Sequence, residues 1–231
     1  MFDMIRFLNF LSYTNIIVAL GAFSLYKVTE ILFNISDLKM GFFVFFSTFC
    51  AYNYIRFFDF ERKESINSTY MYLIYFFCFL LLSILVLSFE LHFIKLLFPV
   101  IIISLLYPLQ IQINNSYYGL RSIPLLKVFL IAFIWSYITL LLPLLYYNVT
   151  IDYYFLDFFF QRFLFIIAIS IPFDIRDRFV DKIRTFPNTI GVLNSKFFAW
   201  FCLFVIELLL IIDLVNNTIS PSVFIAFFLS I

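Results

Sequence analysis

The chain has 231 residues, of which 65% are hydrophobic and only 13% are charged, and its mean hydropathy is +1.06. A soluble domain carries about 25% charged residues, and one core of this size could not bury so much apolar surface. The composition therefore excludes an ordinary soluble protein and predicts a chain in contact with membrane lipids. The net charge of +1 gives no indication of a nucleic-acid partner.

Seven apolar runs follow one another along the chain, and each is close to the roughly 20 residues that a helix needs to cross a bilayer. Their apolar residues are continuous instead of alternating, which favours helices over strands. An eighth run begins after Pro221 and stops at Ile231, after about half a crossing. We therefore predict one all-α transmembrane domain over 1–231, a polytopic bundle of seven full helices and a truncated eighth. The seven runs are at about 8–28, 40–58, 70–89, 93–111, 124–147, 155–173 and 197–215.

Basic residues are concentrated in the loops that follow the second, fourth and sixth runs, whereas the alternate loops hold few of them. Loops rich in lysine and arginine stay on the cytoplasmic side of a membrane. We therefore expect a multi-pass protein of the plasma (inner) membrane, with these three loops and the amino terminus in the cytoplasm. The basic residues of the three loops and their edges are Arg56, Arg62, Lys63, Arg121, Lys127, Arg176, Arg178, Lys182, Arg184 and Lys196.

Three aspartates follow the sixth run with a regular spacing, at Asp174, Asp177 and Asp181. Positions i, i+3 and i+7 fall on one face of a helix, where three negative charges repel one another unless a cation lies between them. Mg²⁺ suits such a place, because it binds a few carboxylates together with phosphate oxygens and water. The basic residues between the aspartates could instead neutralise them as a solvated ion-pair face. The position at the membrane edge, beside Pro172, favours the functional interpretation.

A second polar cluster ends the second run, on the same predicted side of the membrane. If the helix continues there, Asn53 and Glu61 share one of its faces, and Arg56 flanks that face. Two polar clusters, four runs apart on one side of the membrane, suggest a single pocket built by two halves of the bundle.

The connection between the fourth and fifth runs adds further polar groups on this side, namely Tyr107, Arg121 and Lys127. The two cations could bind an anionic ligand above the same pocket. An equally good interpretation is that Arg121 and Lys127 only anchor the chain on the cytoplasmic side.

These motifs resemble those of the UbiA superfamily of intramembrane prenyltransferases. Members of that family carry one Asp-rich motif after helix two (NDxxDxxxD) and another after helix six (DxxDxxxD). Here the second motif matches at all three aspartates, and Arg184-Thr185-Phe-Pro187 is similar to the family's continuation. The order and spacing of the apolar runs also match over nearly the whole chain. The family has nine helices, so the resemblance implies that the rest of helix eight and all of helix nine are absent from this sequence.

The resemblance implies an enzyme that transfers a polyprenyl group from its diphosphate to a lipophilic acceptor, with Mg²⁺ as cofactor. In that mechanism Asp174, Asp177 and Asp181 are catalytic and hold the Mg²⁺, which neutralises the leaving diphosphate. A dry cavity with aromatic rings would stabilise the allylic cation. The implied substrate-binding residues are Asn53, Arg56, Glu61, Tyr107, Arg121, Lys127, Lys182 and Arg184.

The first motif departs from the family pattern. Asn53 matches, but Tyr54 and Phe57 stand where the family has aspartate. Only Glu61 keeps an acidic group in register. Arg56 could bind the diphosphate directly, in place of a carboxylate-bound cation.

Two alternatives to a prenyltransferase stay open. The loss of two acidic residues from the first motif is compatible with a catalytically degenerate member of the same fold that only binds a lipid diphosphate. A small membrane transporter is the other alternative, and its intramembrane charges would be Arg162 and Glu207.

Overall fold

The computed structural model describes residues 14–57, 68–109, 111–113, 116–120, 123, 125–150, 152–178 and 185–230. Nearly all of this part of the chain is helical, which agrees with the predicted all-α class. Apolar segments favour helices in lipid because a helix satisfies its own backbone hydrogen bonds. The elements are α1 (Ile16–Phe33), α2 (Leu38–Phe57), α3 (Ser68–Leu87), α4 (Leu91–Leu106), β1 (Ile111–Ile113), β2 (Ser116–Tyr118), α5 (Leu126–Ser136), a π-helical turn (Tyr137–Leu141), α6 (Leu142–Tyr146), α7 (Tyr153–Arg176), α8 (Phe186–Ile190), α9 (Val192–Val215) and α10 (Pro221–Ser230).

Each predicted apolar run overlaps with helical structure. The first four runs correspond to α1 to α4, the fifth to α5 with the π turn and α6, and the last three to α7, α9 and α10. Within the described ranges, four segments are long and apolar enough to cross a membrane. The predicted helical class is therefore confirmed, and these segments support a membrane protein, whereas the count of seven crossings stays a prediction. The four segments are Ile16–Phe33, Leu126–Tyr146, Tyr153–Arg176 and Val192–Val215.

Large apolar side chains cover the outer faces of several helices. Phe76 on α3, Phe98 on α4 and Trp200 on α9 are each more than half exposed. Apolar surface of this extent is unfavourable in water and is ordinary in contact with lipid tails. The exposed faces therefore agree with the membrane location that the composition predicts.

The fourth run is shorter as a helix than the sequence predicts. α4 ends at Leu106, and Ile111–Ile113 pairs with Ser116–Tyr118 as a short antiparallel hairpin in which Ile111 lies opposite Tyr118. Pro108, two residues after the helix end, has no backbone N–H for a further helical hydrogen bond. The predicted helix through residue 111 is therefore too long, and the hairpin is an element that the apolar pattern did not indicate.

The chain divides into two compact units. The first unit contains Met1–Leu109 and Ile138–Asn148, and the second contains Gln110–Tyr137 and Val149–Ile231. Each unit has its own packing, and the prediction that 1–231 forms one domain stays a prediction.

In the first unit, α1 and α2 pack closely, and Gly41 makes this possible. A Cβ atom at residue 41 would lie 2.8 Å from Cε2 of Phe23 and 3.3 Å from Cε1 of Tyr26. The hydroxyl of Tyr26 donates to the backbone oxygen of Asp37 at 3.0 Å. The side chain of Glu30 accepts from the backbone N–H of Asp37 at 2.9 Å, so the turn between the two helices is held by buried polar groups.

An aromatic core joins α2, α4 and α6 in the same unit. The rings of Phe89 and Phe93 are stacked with centroids 4.1 Å apart, and Phe43 and Tyr146 meet Phe93 edge-on at 4.9 Å and 5.3 Å. Edge-on and offset contacts are the favourable geometries for aromatic pairs. This core fixes α6 beside α4.

In the second unit, α7 packs against α5 and α9, and α9 packs against α8 and α10. The Asp152 side chain begins α7 by accepting from the backbone N–H of Phe155 at 3.0 Å, as an N-cap does. Ile206, Leu210 and Ile219 form the buried core between α9 and the segment that leads to α10. α7 is thus the central helix of this unit, and both of its ends lie close to neighbouring helices.

Candidate functional site

Asp174 lies in the last turn of α7 and is buried against Lys127, the second residue of α5. The Lys127 Nζ donates to Asp174 Oδ1 at 2.8 Å, and the two side chains are 18% and 4% exposed. The carboxyl end of a helix carries a partial negative charge, which disfavours a carboxylate there. Lys127 therefore supplies the positive charge that makes a buried Asp174 possible.

Asp177 directly follows α7 and has a different environment. Its carboxylate accepts two hydrogen bonds from Arg176, from Nε at 2.8 Å and from Nη2 at 3.1 Å. The Arg176 side chain is 62% exposed, so this pair is largely solvated and contributes little to stability. Two of the three predicted aspartates are therefore next to each other in space at one helix end, and each contacts a basic side chain. Asp181, Lys182 and Arg184 lie outside the described residues.

The start of α8 adds a hydroxyl group and an aromatic wall to this end of the second unit. Thr185 precedes α8, and its Oγ1 is buried with no hydrogen-bond partner among the residues that the structure describes. The Phe186 ring lies 6.0 Å from that of Phe129 and 5.2 Å from that of Phe198. Phe129 in turn stacks on Phe163 of α7 at 6.3 Å. The sequence indicated Thr185 only as part of a motif, and no spacing signal predicted the aromatic wall.

The carboxylate oxygens at this site are ligands of the type that Mg²⁺ binds. Carboxylate oxygens are the ligands that Mg²⁺ prefers, and it completes its shell with phosphate oxygens and water. Asp174 and Asp177 offer such oxygens. Within the described ranges, no group of three or more His, Cys, Asp or Glu residues is arranged to hold a metal ion. The predicted third ligand, Asp181, would have to complete the set.

The side chain of Asn53, in the first unit, is hydrogen-bonded to other parts of the protein. Its Oδ1 accepts from Nδ2 of Asn15 at 3.0 Å, and its own Nδ2 donates to the backbone oxygens of Phe49 at 2.8 Å and Thr14 at 3.2 Å. Both amide hydrogens are thus used within the protein. Asn53 fastens α2 to the residues that precede α1.

The structure describes two of the other residues that were predicted to bind the substrate from this side. Arg56 is half-buried in the last turn of α2, and Tyr107 is buried just after α4. Glu61 and Arg121 lie outside the described residues. The predicted pocket combines residues of both units, and it stays a prediction.

Tyr54 and its neighbours form an apolar cavity beside Asn53. The Tyr54 hydroxyl donates to the backbone oxygen of Leu105 at 3.5 Å, which connects α2 to α4. The cavity lies between α2 and α3 and has a volume of about 260 Å³. It can accept hydrocarbon but offers almost no polar contact. Its lining residues are Phe49, Cys50, Asn53, Tyr54, Tyr72, Tyr75 and Phe79.

Arg162 and Glu207, the predicted intramembrane charges, differ in burial. Arg162 is buried in the middle of α7, whereas Glu207 on α9 is half-buried. On α7 and α9, three further polar residues come together that the sequence analysis did not single out, namely Asp157, Gln161 and Asp213. The i, i+4 spacing of Asp157 and Gln161 in an apolar helix was the available signal.

Comparisons of this chain with protein-family models, with characterised proteins and with solved structures found no match.

Proposed function

We propose that this protein is a membrane-embedded prenyltransferase, which moves a polyprenyl group from its diphosphate to a lipophilic acceptor. The observation that supports this most directly is the buried Asp174–Lys127 pair at the end of a membrane-spanning helix, beside Asp177. A charged pair in an apolar bundle is costly to maintain, and such groups usually serve a function.

The roles of the chain's own residues follow from their charges. Mg²⁺, when bound, would neutralise the developing negative charge of the leaving diphosphate. Asp174, Asp177 and Asp181 are its proposed ligands. Lys127 is held by Asp174 at the same helix end, where its ammonium group can donate to a phosphate oxygen. Arg176 extends into solvent beside it and can make a second contact.

The remaining proposed contacts concern the diphosphate and the isoprenoid chain. Arg121, Lys182 and Arg184 are proposed to bind the diphosphate as further cations. Phe129 lies two residues after Lys127 on α5, and its ring contacts those of Phe163 and Phe186. Such electron-rich faces suit an allylic cation. We propose that these aromatic rings also keep water away from the cation.

Diphosphate release by the full chain, reconstituted in lipid nanodiscs, tests the proposal. The substrates are an allylic prenyl diphosphate with Mg²⁺ and a membrane lipid extract as the source of acceptors. We expect Asp177→Asn to lower the rate about 100-fold, because it removes a charged ligand from the transition state. Asp152→Asn is the matched control, since asparagine also caps a helix and this residue lies at the other end of α7. Equal rates in Asp177→Asn and the wild-type chain would contradict the proposal.

A second candidate is a binding protein of the same architecture that does not catalyse transfer. The internal hydrogen bonds of Asn53 favour it, because they engage a side chain that the resemblance assigns to the substrate. Such a protein would bind a prenyl diphosphate in a Mg²⁺-dependent way without releasing diphosphate. Equilibrium binding measured beside the release assay distinguishes the two candidates.

A further inference from the structure

The apolar cavity of the first unit is lined by one face of α2 and one face of α3. Tyr72, Tyr75 and Phe79 follow the i, i+3, i+7 spacing of a helix face, and they extend over about 10 Å of α3. Phe49 on α2 faces them, and its ring centroid lies 6.1 Å from that of Tyr75. The cavity therefore follows the two helices and has aromatic rings on both sides.

Water is a poor occupant of this cavity, because almost all of its exposed lining is apolar. The Asn53 side chain is engaged by Asn15 and by two backbone oxygens, and the Tyr54 hydroxyl donates to the backbone oxygen of Leu105. A buried water needs about two to four polar partners, and apolar cavities without them stay dry. The lining therefore favours an apolar occupant.

The size of the cavity sets the size of that occupant. An apolar cavity of about 150 Å³ can already hold a benzene molecule. The volume of about 260 Å³ found here therefore has room for a short length of one hydrocarbon chain. An empty cavity would deprive the rings that line it of dispersion contacts on one side, and a bound chain restores them.

The lining continues into the outer surface of α3. Tyr72 and Phe79, at the two ends of the α3 lining, are 60% and 63% exposed. Phe76, between them in sequence, is 62% exposed on the same helix. Apolar surface of this kind is expected to face lipid tails. The hydrocarbon that reaches the cavity therefore comes from the bilayer itself.

We propose that this cavity binds one hydrocarbon chain of a membrane lipid, which enters from the bilayer between α2 and α3. The chain packs against aromatic rings of both helices and strengthens their contact. Its chemistry is shared by two sources, the acyl chain of a phospholipid and the isoprenoid chain of a polyprenyl lipid. The site consists only of residues of the first unit and does not depend on the transfer reaction proposed above.

Photolabelling of the full chain in lipid nanodiscs tests the inference, with one arm for each source of the chain. One probe is a phosphatidylcholine with a diazirine in its acyl chain, and the other is a polyprenyl phosphate with a diazirine in its isoprenoid chain. The mole fraction of each probe is raised, and labelled peptides are identified by mass spectrometry. Neither arm measures diphosphate release, so a negative result leaves the transfer proposal untouched.

A bound chain and the surrounding bilayer lipid label the protein differently. Labelling of residues 49–54, on the α2 side of the cavity, should saturate at a low mole fraction of probe, because a site holds one chain. Labelling of Phe76 and Phe77, which are exposed on α3, should instead rise in proportion to the probe. The probe that saturates at the lower mole fraction identifies the source. Proportional labelling of residues 49–54 in both arms would overturn the proposal.

A substitution that fills the cavity gives a second readout. Cys50→Phe places a ring in the cavity, and the saturable labelling of residues 49–54 should be lost. Leu80→Phe is the matched control, since it adds the same ring on α3 outside the lining and should keep the wild-type curve. Saturable labelling that persists in folded Cys50→Phe would also overturn the proposal. The wild-type curves decide by themselves if this variant does not fold.

Discussion

The two ends of α7 bury carboxylates in different ways. At its carboxyl end, Asp174 faces the ammonium group of Lys127 at 2.8 Å. At its amino end, Asp157 and Asp213 face the neutral amide of Gln161. A carboxylate that is removed from water needs either a cation or a proton. The carboxyl end therefore buries a carboxylate against a cation, whereas the amino end buries two carboxyl groups against a neutral amide.

The helix dipole makes this arrangement reasonable. The amino end of a helix is partially positive and tolerates extra negative charge, while the carboxyl end is partially negative and does not. Asp174 therefore needs a full positive charge beside it. We infer that Lys127 is the residue on which the carboxyl-end site depends for its stability.

The largest effect is expected from Asp174→Asn, which removes the carboxylate facing the largely buried Lys127. Loss of one partner of a buried pair costs about 3–5 kcal/mol, because the other charge stays in an apolar place. Asp177→Asn should cost only about 0–1 kcal/mol, since its pair with Arg176 is solvated. Chemical denaturation of the two variants in mixed micelles measures the difference. Equal losses of unfolding free energy in the two variants would contradict the prediction that the buried ion pair contributes more than the solvated one.

Asn53 is a buried polar residue without charge, and its contribution to stability can be compared with those of the charged residues on α7. Asn53→Ala removes three hydrogen bonds, so Asn15, Thr14 and Phe49 lose a partner, and we expect a loss of about 2 kcal/mol. This loss should not change with ionic strength, because all the groups in these three hydrogen bonds are neutral. The control is Ser83→Ala, which removes only a local bond to the Phe79 backbone oxygen. A strong salt dependence of the Asn53→Ala effect would argue for a ligand-binding role of Asn53.

A smaller loss is expected from Gln161→Leu at the amino end. The variant removes the amide that donates to both carboxyl groups, and we expect a loss of about 1–2 kcal/mol in unfolding free energy. Ser170→Ala on the same helix removes one local hydrogen bond to Ile166 and serves as the control. Chemical denaturation of both variants in mixed micelles checks the prediction. If Gln161→Leu lowers the unfolding free energy as much as Asp174→Asn does, the Gln161 hydrogen bonds stabilise α7 as strongly as the Asp174–Lys127 ion pair.

The helices themselves could be predicted from the sequence, because long apolar runs have few other structures available in lipid. Most boundaries followed from charges and turn residues. The β hairpin was missed because residues 111–118 are too short and too polar to give a pattern.

The partners of the polar residues could not be predicted. Lys127 and Asp174 are 47 residues apart, and Gln161 and Asp213 are 52 apart. Their contact depends on how each helix is rotated. Apolar residues cover every face of these helices, so periodicity does not show which face meets protein and which meets lipid. For the same reason the structural role of Asn53, which depends on Asn15, was not visible in its motif.

The contact of α1 with α2 has a consequence for the order of folding. The two helices are joined by only four residues, and the bonds of Tyr26 and Glu30 to Asp37 are all local. Gly41 lets the two helices touch directly, because it has no Cβ atom to separate them. Contacts with short sequence separation form first, because they cost the least loop entropy. We therefore expect α1 and α2 to form a helical hairpin early in synthesis, on which the later helices assemble.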